Sequence, residues 1–201
     1  MEFISALAAG NQARLMVDIA SGGLSASTLA LAVAATHVGG GRLVCVRHER
    51  EAIEEIKAQV EASDLERVTE LRVGDPFEVM KQYKNIDFAV VDHRIRECLE
   101  LLFAMEMNPS GSVVVVSNLF HGRRSVRSCT AFGQMMRSAG NKSAVLLIGD
   151  GMEITRFTGN VNGGRRGVRK SCKRTFMVYD EVCPPKFCGG EAKDVGVIMS
   201  S

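Results

Sequence analysis

A chain of 201 residues, 46% hydrophobic and 24% charged, is long enough for one full core and too evenly mixed for a disordered or collagen-like protein. No apolar run approaches the ~20 residues of a membrane span, and the first ten residues lack the basic start and apolar stretch of a signal peptide. The net charge of +2 hides an asymmetry, because residues 1–121 carry 11 basic and 17 acidic side chains and residues 122–201 carry 14 and 6, so an anionic partner would be sought in the second half.

In chain order, MEFISALAAG reads as a helix ending at Gly10. RLMVDIA (14–20) follows, with Leu15, Met16, Val17 and Ile19 in the short apolar run of a strand buried on both faces. Asp18 lies near its carboxyl end. Ser21-Gly22-Gly23 breaks the strand, since tandem glycines permit a tight turn and close backbone approach to a ligand. Ser25, Ser27 or Thr28 can cap the alanine-rich helix that follows. Strand, glycine turn and helix together form the unit that aims backbone N–H groups at a nucleotide-sized ligand.

The alternation then continues. Gly39-Gly40-Gly41 ends the helix and RLVCVRH (42–48) is a second strand, with Cys45 as a small core residue. Residues 49–62 place Ala52, Ile53, Ile56 and Val60 at helical spacing. A third strand (68–73) closes at Gly74-Asp75-Pro76 and is followed by a short helix (77–83). A fourth strand (86–91) ends at Asp92, and a helix (96–107) stops at Asn108-Pro109. A fifth strand (111–116) ends at Ser117-Asn118, a helix covers 125–139, and a sixth strand covers 143–148. Residues 152–157 and 174–178 read as late strands flanking a Gly/Arg-rich loop.

Strands separated by helices predict an α/β protein with a mostly parallel sheet and helices on both faces. Its ligand crevice should lie beyond the carboxyl ends of the strands, where Asp18, Arg47, Asp75, Asp92 and Asn118 fall. The cysteines at 45, 98, 129, 172, 183 and 188 show neither CxxC pairing nor a zinc rhythm, which predicts free thiols and a cytoplasmic setting. Asn141-Lys142-Ser143 fits a glycosylation sequon that such a setting leaves unused.

The segments VDIASGGLSASTLALAVAA, GRLVCVRHEREA, VGDPFEVM, IDFAVVDHR, GSVVVVSN, GMEITRFTG and KRTFMVYDE together resemble an uncharacterised plant family grouped with the S-adenosylmethionine-dependent methyltransferases. More distantly, they resemble the caffeoyl-CoA type of O-methyltransferase. The resemblance implies a Rossmann-like three-layer sandwich with a late antiparallel strand. It spans one domain over residues 1–180, followed by a divergent tail over 181–201. The cofactor it implies is S-adenosylmethionine, and the reaction is methyl transfer to a small-molecule oxygen or nitrogen.

Position by position, the resemblance gives Asp18 to the methionine end of the cofactor and Ser21, Gly22 and Gly23 to the turn it crosses, with Ala20 replacing the first motif glycine. Arg47 stands where the class has an acidic residue for the ribose hydroxyls. A guanidinium has only donors, so Glu49 is the substitute acceptor. Asp75 matches the residue that meets the adenine amino group. Asp92 and Asn118 match two positions of the caffeoyl-CoA metal site, but Ser117 replaces its second carboxylate. Hard cations need anionic oxygens, so no metal is expected. Asp92, also counted with the cofactor-binding residues, and His93 are the candidate catalytic residues, His93 as a base for a hydroxyl acceptor; the bland alternative for His93, as for His121, is a polar residue at a strand-to-helix junction.

Two other functions compete with the methyltransferase-like reading. One is a binding or interaction protein that kept the fold without the chemistry. The other is an NADP-type binder, with Arg47 at the position that accommodates a 2′-phosphate. The cluster Arg165, Arg166, Arg169, Lys170, Lys173 and Arg174 reads first as a solvated loop, with nucleic acid as the alternative partner. Replacing Arg165, Arg166 and Arg169 by Ala is expected to leave stability within about 0.5 kcal/mol in urea unfolding. Salt-dependent nucleic-acid binding that the triple variant loses would identify the cluster as an interface instead.

Overall fold

The computed structural model describes residues 2–120 and 131–157. Its centre is a seven-stranded sheet in the order β3-β2-β1-β4-β5-β7-β6. The strands are β1 (Leu15–Ile19), β2 (Arg42–Arg47), β3 (Thr69–Val73), β4 (Phe88–Asp92), β5 (Ser112–Ser117), β6 (Lys142–Leu146) and β7 (Met152–Phe157). The first five run parallel, and β7 pairs antiparallel with both β5 and β6. The parallel sheet and the late antiparallel strand are thus as expected. The helices are α1 (Glu2–Gly10), α2 (Ala26–His37), α3 (Arg50–Ala62), α4 (Pro76–Met80), α5 (Cys98–Ala104) and α6 (Ala131–Ser138).

Side-chain alternation along each strand sorts the helices into two layers. Met16, Leu43, Cys45, Phe88, Val90, Val113 and Val115 face Ile4, Leu31, Ala34, Ile56 and Val60 of α1, α2 and α3. Leu15, Val17, Val44, Val46, Val91, Val114 and Val116 face Val79, Leu101 and Phe132 of α4, α5 and α6. Burial on both faces is why the parallel strands read as continuous apolar runs. Because β1 has β2 on one side and β4 on the other, the strand order reverses there, and the loops after these strands part to leave a crevice.

Several boundaries differ from the sequence expectation. The fourth strand starts at Phe88, because Asp87 ties down the preceding backbone. Its carboxylate accepts the N–H groups of Arg14 and Leu15 and the amide of Asn108 at 2.6–2.9 Å, joining three loops at the sheet's amino-terminal edge. The helix expected over 96–107 is held to Cys98–Ala104 by a left-handed Glu97 before it and an extended Met105 after it. The sixth strand stops at Leu146, so Leu147 and Ile148 leave the sheet and form the tip of the β6–β7 hairpin, with Leu147 67% exposed. The expected strand over 174–178 and the first part of the helix over 125–139 lie outside the described residues. Among the described residues, no helix is long and apolar enough to cross a membrane.

Glu153 of β7 is fully buried on the α6 side. It accepts the Gly133 N–H and the Ser143 hydroxyl, both at 3.1 Å, with Arg137 at 3.9 Å. Burial lifts its carboxyl above the ordinary value and outweighs those three partners, which pull the other way. A group with a raised folded-state value favours the folded chain when protonated. Stability therefore falls as pH rises from the unfolded value through the folded one. Glu153→Gln is expected to raise the urea midpoint at neutral pH and to flatten that part of the pH–stability curve. An unchanged slope would mean that the carboxyl titrates as it does in the unfolded chain.

Candidate functional site

The polar residues of the crevice share one face of the sheet. Alternation puts Asp18, Arg47, Asp92 and Ser117 on the side facing α1, α2 and α3, each just past the last apolar residue of its row. Asp18 lies beside Cys45 in register, Asp92 beside Ser117, and Ser117 beside Met152. A continuous apolar floor thus ends in a line of polar side chains where the strands stop.

At one end of this line is a buried ion pair. Arg47 Nη2 donates to Asp18 Oδ2 at 2.6 Å, with the two side chains 0% and 1% exposed. Arg47 also donates to the backbone carbonyls of Asp18 and Val46, to the Thr28 hydroxyl and, at 3.4 Å, to the Gly23 carbonyl. The hydroxyls of Ser27 and Thr28 complete the set by donating to Asp18 at 3.0 and 2.7 Å. Ser25 caps α2, its Oγ accepting the Thr28 N–H at 3.2 Å. One guanidinium therefore joins β1, β2, the glycine turn and the start of α2. Neighbouring Cys45 is held well above the usual thiol range by burial first and by the Asp18 charge second, against the opposing pull of Arg47.

A second pair lies across the switch point. Arg94 grips Asp92 with its side chain and its backbone: Nε reaches both carboxylate oxygens at 3.1 and 2.9 Å, Nη2 reaches Oδ2 at 2.6 Å, and the N–H reaches Oδ1 at 2.9 Å. Asp92 is 2% exposed and Arg94 43%. Burial pushes the Asp92 carboxyl up, but the Arg94 side chain and N–H and the Asn118 amide together outweigh it, so the carboxyl sits below its ordinary value. The bond to Asp92 raises Arg94 most, against desolvation, and the charge of Asp150 adds to it. Asn118 adopts a left-handed backbone (φ 59°), which asparagine tolerates better than most residues and which turns the chain away from β5.

A cavity of about 460 Å³ opens over this line. Gly22, Gly23, Ser25, Ser27, Asp92, Arg94 and Asn118 line it, together with the hairpin tip Ile148–Met152 and with Phe3 and Ile4 of α1. Gly151 (φ 79°) packs against the Phe120 ring, which leaves no room for a side chain there and anchors the tip. The two turn glycines differ in role. A side chain on Gly23 would collide with the Glu55 carboxylate, whereas one on Gly22 would meet nothing within 4 Å.

The structure divides the sequence candidates. Asp18, Gly22, Gly23 and Asp92 lie together at the cavity. Ser21 is exposed beside the turn, outside the lining. Glu49 and Asp75 are exposed and also outside the lining; Glu49 precedes α3, and Asp75 caps α4 by accepting the Phe77 N–H. His93 is half-buried, with its N–H on the Ser117 carbonyl, and does not line the cavity. Arg47 corrects the sequence picture. It was expected to occupy the ribose position, or to meet a 2′-phosphate, yet it is fully buried beneath the turn and bonds inward, so the NADP reading loses its basis. Arg94, Asp150 and Ile148 were missed. Only the proximity of Arg94 to Asp92 in sequence could have suggested it. His121, the arginines at 123, 124 and 127, the basic cluster at 165–174 and the cysteines at 129, 172, 183 and 188 lie outside the described residues.

The donor set does not suit a divalent cation. Such an ion needs several anionic oxygens, and Arg94 takes both oxygens of the Asp92 carboxylate. The neighbouring strand offers only Ser117 and Asn118. Among the described residues, no group of three or more His, Cys, Asp or Glu side chains is placed to hold a metal.

A doubly wound sheet with this strand order, a glycine turn after β1 and a cavity over the switch point defines a Rossmann-like domain of the class I methyltransferase type. Solved structures bear this out. A methyltransferase from Geobacter sulfurreducens superposes with a TM-score of 0.64 at 18% identity, covering 78% of this chain and 76% of that one. A candidate caffeoyl-CoA O-methyltransferase from Staphylococcus aureus gives 0.65 at 14%, covering 78% and 81%. The O-methyltransferase TomG from Streptomyces achromogenes, solved in complex with SAM, gives 0.61 at 23%, covering 79% of each chain. No curated protein sequence matches the chain. Residues 1–180 match the model of the family described as a protein of unknown function (DUF1442), and the chain belongs to that family.

The buried pair makes a sharp prediction. Removing one partner of a buried ion pair costs about 3–5 kcal/mol, because the other charge is left without compensation. Arg47→Met should lower stability by that amount in urea unfolding, and adding Asp18→Asn should recover much of it. A loss below about 1 kcal/mol in the single variant would show that water reaches Asp18.

Proposed function

We propose that the protein is a methyltransferase-like binder of S-adenosylmethionine that, when active, transfers methyl groups to a small-molecule oxygen or nitrogen. The observation that carries this reading is the cavity over the carboxyl ends of β1, β4 and β5, bounded by the glycine turn and the start of α2. Its volume of about 460 Å³ suits a small ligand, and the open space at Gly22 allows the backbone close approach. The neighbours solved with SAM or SAH support the choice of nucleoside.

In this reading the cofactor supplies an electrophilic methyl group on a sulfonium. The chain binds and orients it. The amino-terminal end of α2 carries the positive end of the helix dipole, which favours a ligand carboxylate. The Asp18–Arg47 pair holds that helix end and the turn at a fixed distance from β1. Glu49 and Asp75 stand beyond β2 and β3, and we assign them to the ribose and adenine. Their exposure makes that half of the site open, so binding should be weak. The free buried thiols of Cys45 and Cys98 support a cytoplasmic setting. A non-catalytic role has one specific support, since both carboxylates on the cavity floor are already held by arginines.

Calorimetry with S-adenosylhomocysteine tests the reading. Binding is expected in the presence of EDTA and unchanged by magnesium. Gly22→Val should weaken it at least about tenfold, the effect of about 1.4 kcal/mol, without lowering stability, because a side chain there meets only the open crevice. No heat of binding for adenosylmethionine or adenosylhomocysteine with the unmodified chain would refute it.

A further inference from the structure

Both carboxylates on the cavity floor are matched by guanidinium groups, but the two arginines differ. Arg47 is buried and bonds inward, whereas the Arg94 side chain is 43% exposed and lines the cavity. A guanidinium has five N–H donors in a planar fan. Asp92 takes Nε and one edge of Nη2, which leaves Nη1 and the outer edge of Nη2 for another acceptor. Gripped on one side and open on the other, this cation sits where the strand ends meet the hairpin tip.

The surroundings limit what the cation can serve. Both Asp92 oxygens are occupied by Arg94, and Asp18 is occupied by Arg47, Ser27 and Thr28. Neither carboxylate is placed to take a proton from an incoming hydroxyl, and His93 does not line the cavity. Asp150 also lines it, and its negative charge favours the charged form of Arg94. The remaining walls are largely apolar, with Phe3, Ile4, Ile19, Ile148 and Met152. A nucleophile that is already an anion on an apolar body meets these conditions, because it needs a cation to hold it and no base to activate it.

We propose that Arg94 is the acceptor-binding residue of the crevice, a built-in cation that receives the carboxylate of an apolar carboxylic acid where a divalent metal would otherwise be required. The inference rests on the methyltransferase-like reading. In that chemistry the carboxylate oxygen forms the new O–C bond as the S–C bond of the sulfonium breaks, and the bonding pair goes to sulfur. No proton moves. Arg94 aligns the attacking oxygen through charge-assisted, two-pronged hydrogen bonds, a geometry that lysine cannot reproduce.

The test uses the full chain and two probes of the same shape, benzoate and the uncharged benzamide, observed by ligand NMR with EDTA, with and without S-adenosylhomocysteine. Benzoate should bind at least about tenfold more tightly than benzamide. Arg94→Gln should abolish the preference, and Arg94→Lys should restore it only in part. Arg94→Gln exposes Asp92 to loss of its partner, so the double variant Asp92→Asn/Arg94→Gln, which removes both charges, should fold and still lack the preference. Equal binding of the two probes, a preference that survives in the double variant, or binding that appears only with magnesium would each overturn the proposal. Adenosylhomocysteine calorimetry on the same samples keeps the two claims separate: a benzoate preference without nucleoside binding refutes the methyltransferase reading and leaves the anion site standing, and nucleoside binding without the preference does the reverse.

Discussion

The ion pair between Asp18 and Arg47 is the constraint on which the crevice depends. Taking two charges out of water costs several kcal/mol per ion, and this is recovered only when geometry and further hydrogen bonds are good. Here they are good, since Arg47 donates to three backbone carbonyls and one hydroxyl besides the carboxylate. Each of those bonds reaches a different part of the structure. The pair ties β1 to β2, and the other bonds of Arg47 add the glycine turn and the start of α2 at its serine cap. Its contribution is to specify geometry at the floor of the cavity rather than to add net stability.

The same device recurs across the switch point. Asp92 and Arg94 form a second carboxylate–guanidinium pair at the end of the neighbouring strand. Being only two residues apart, they need no register between strands, and the arginine remains at the surface of the cavity. The first pair is structural and sealed, whereas the second leaves a charge facing the cavity. Among the described residues, the two carboxylates at these strand ends are thus each held by an arginine. The hairpin tip, fixed by Gly151 against Phe120, closes the same space from the antiparallel edge of the sheet.

Much of this was legible in the sequence because it depends on local chemistry. Apolar runs marked β1, β2, β4 and β5, and helical spacing marked the segments between strands. β1, the glycine turn and α2 were readable because tandem glycines followed by a Ser-rich start and an Ala-rich run admit few other conformations. The lapses fell where a distant partner overrides local preference. The start of β4 is set by Asp87 reaching Arg14 and Leu15, 73 and 72 residues away, and Ile148 left its strand to join a hairpin tip.

The sequence by itself determined the alternation of strands and helices, the parallel sheet, the position of the crevice and the presence of Asp18, Gly22, Gly23 and Asp92 at it. These follow from side-chain periodicity and turn chemistry, which act over a few residues. Only the tertiary structure decided where the arginines point. Arg47 at a strand end is equally compatible with facing a ligand or turning beneath the glycine loop. The choice was made by Asp18, on the same face of the adjacent strand, and by Thr28 at the start of α2, both brought within 3 Å by folding alone. A charge in a sequence has a sign but no direction, and its partner appears only when strands far apart in the chain lie side by side.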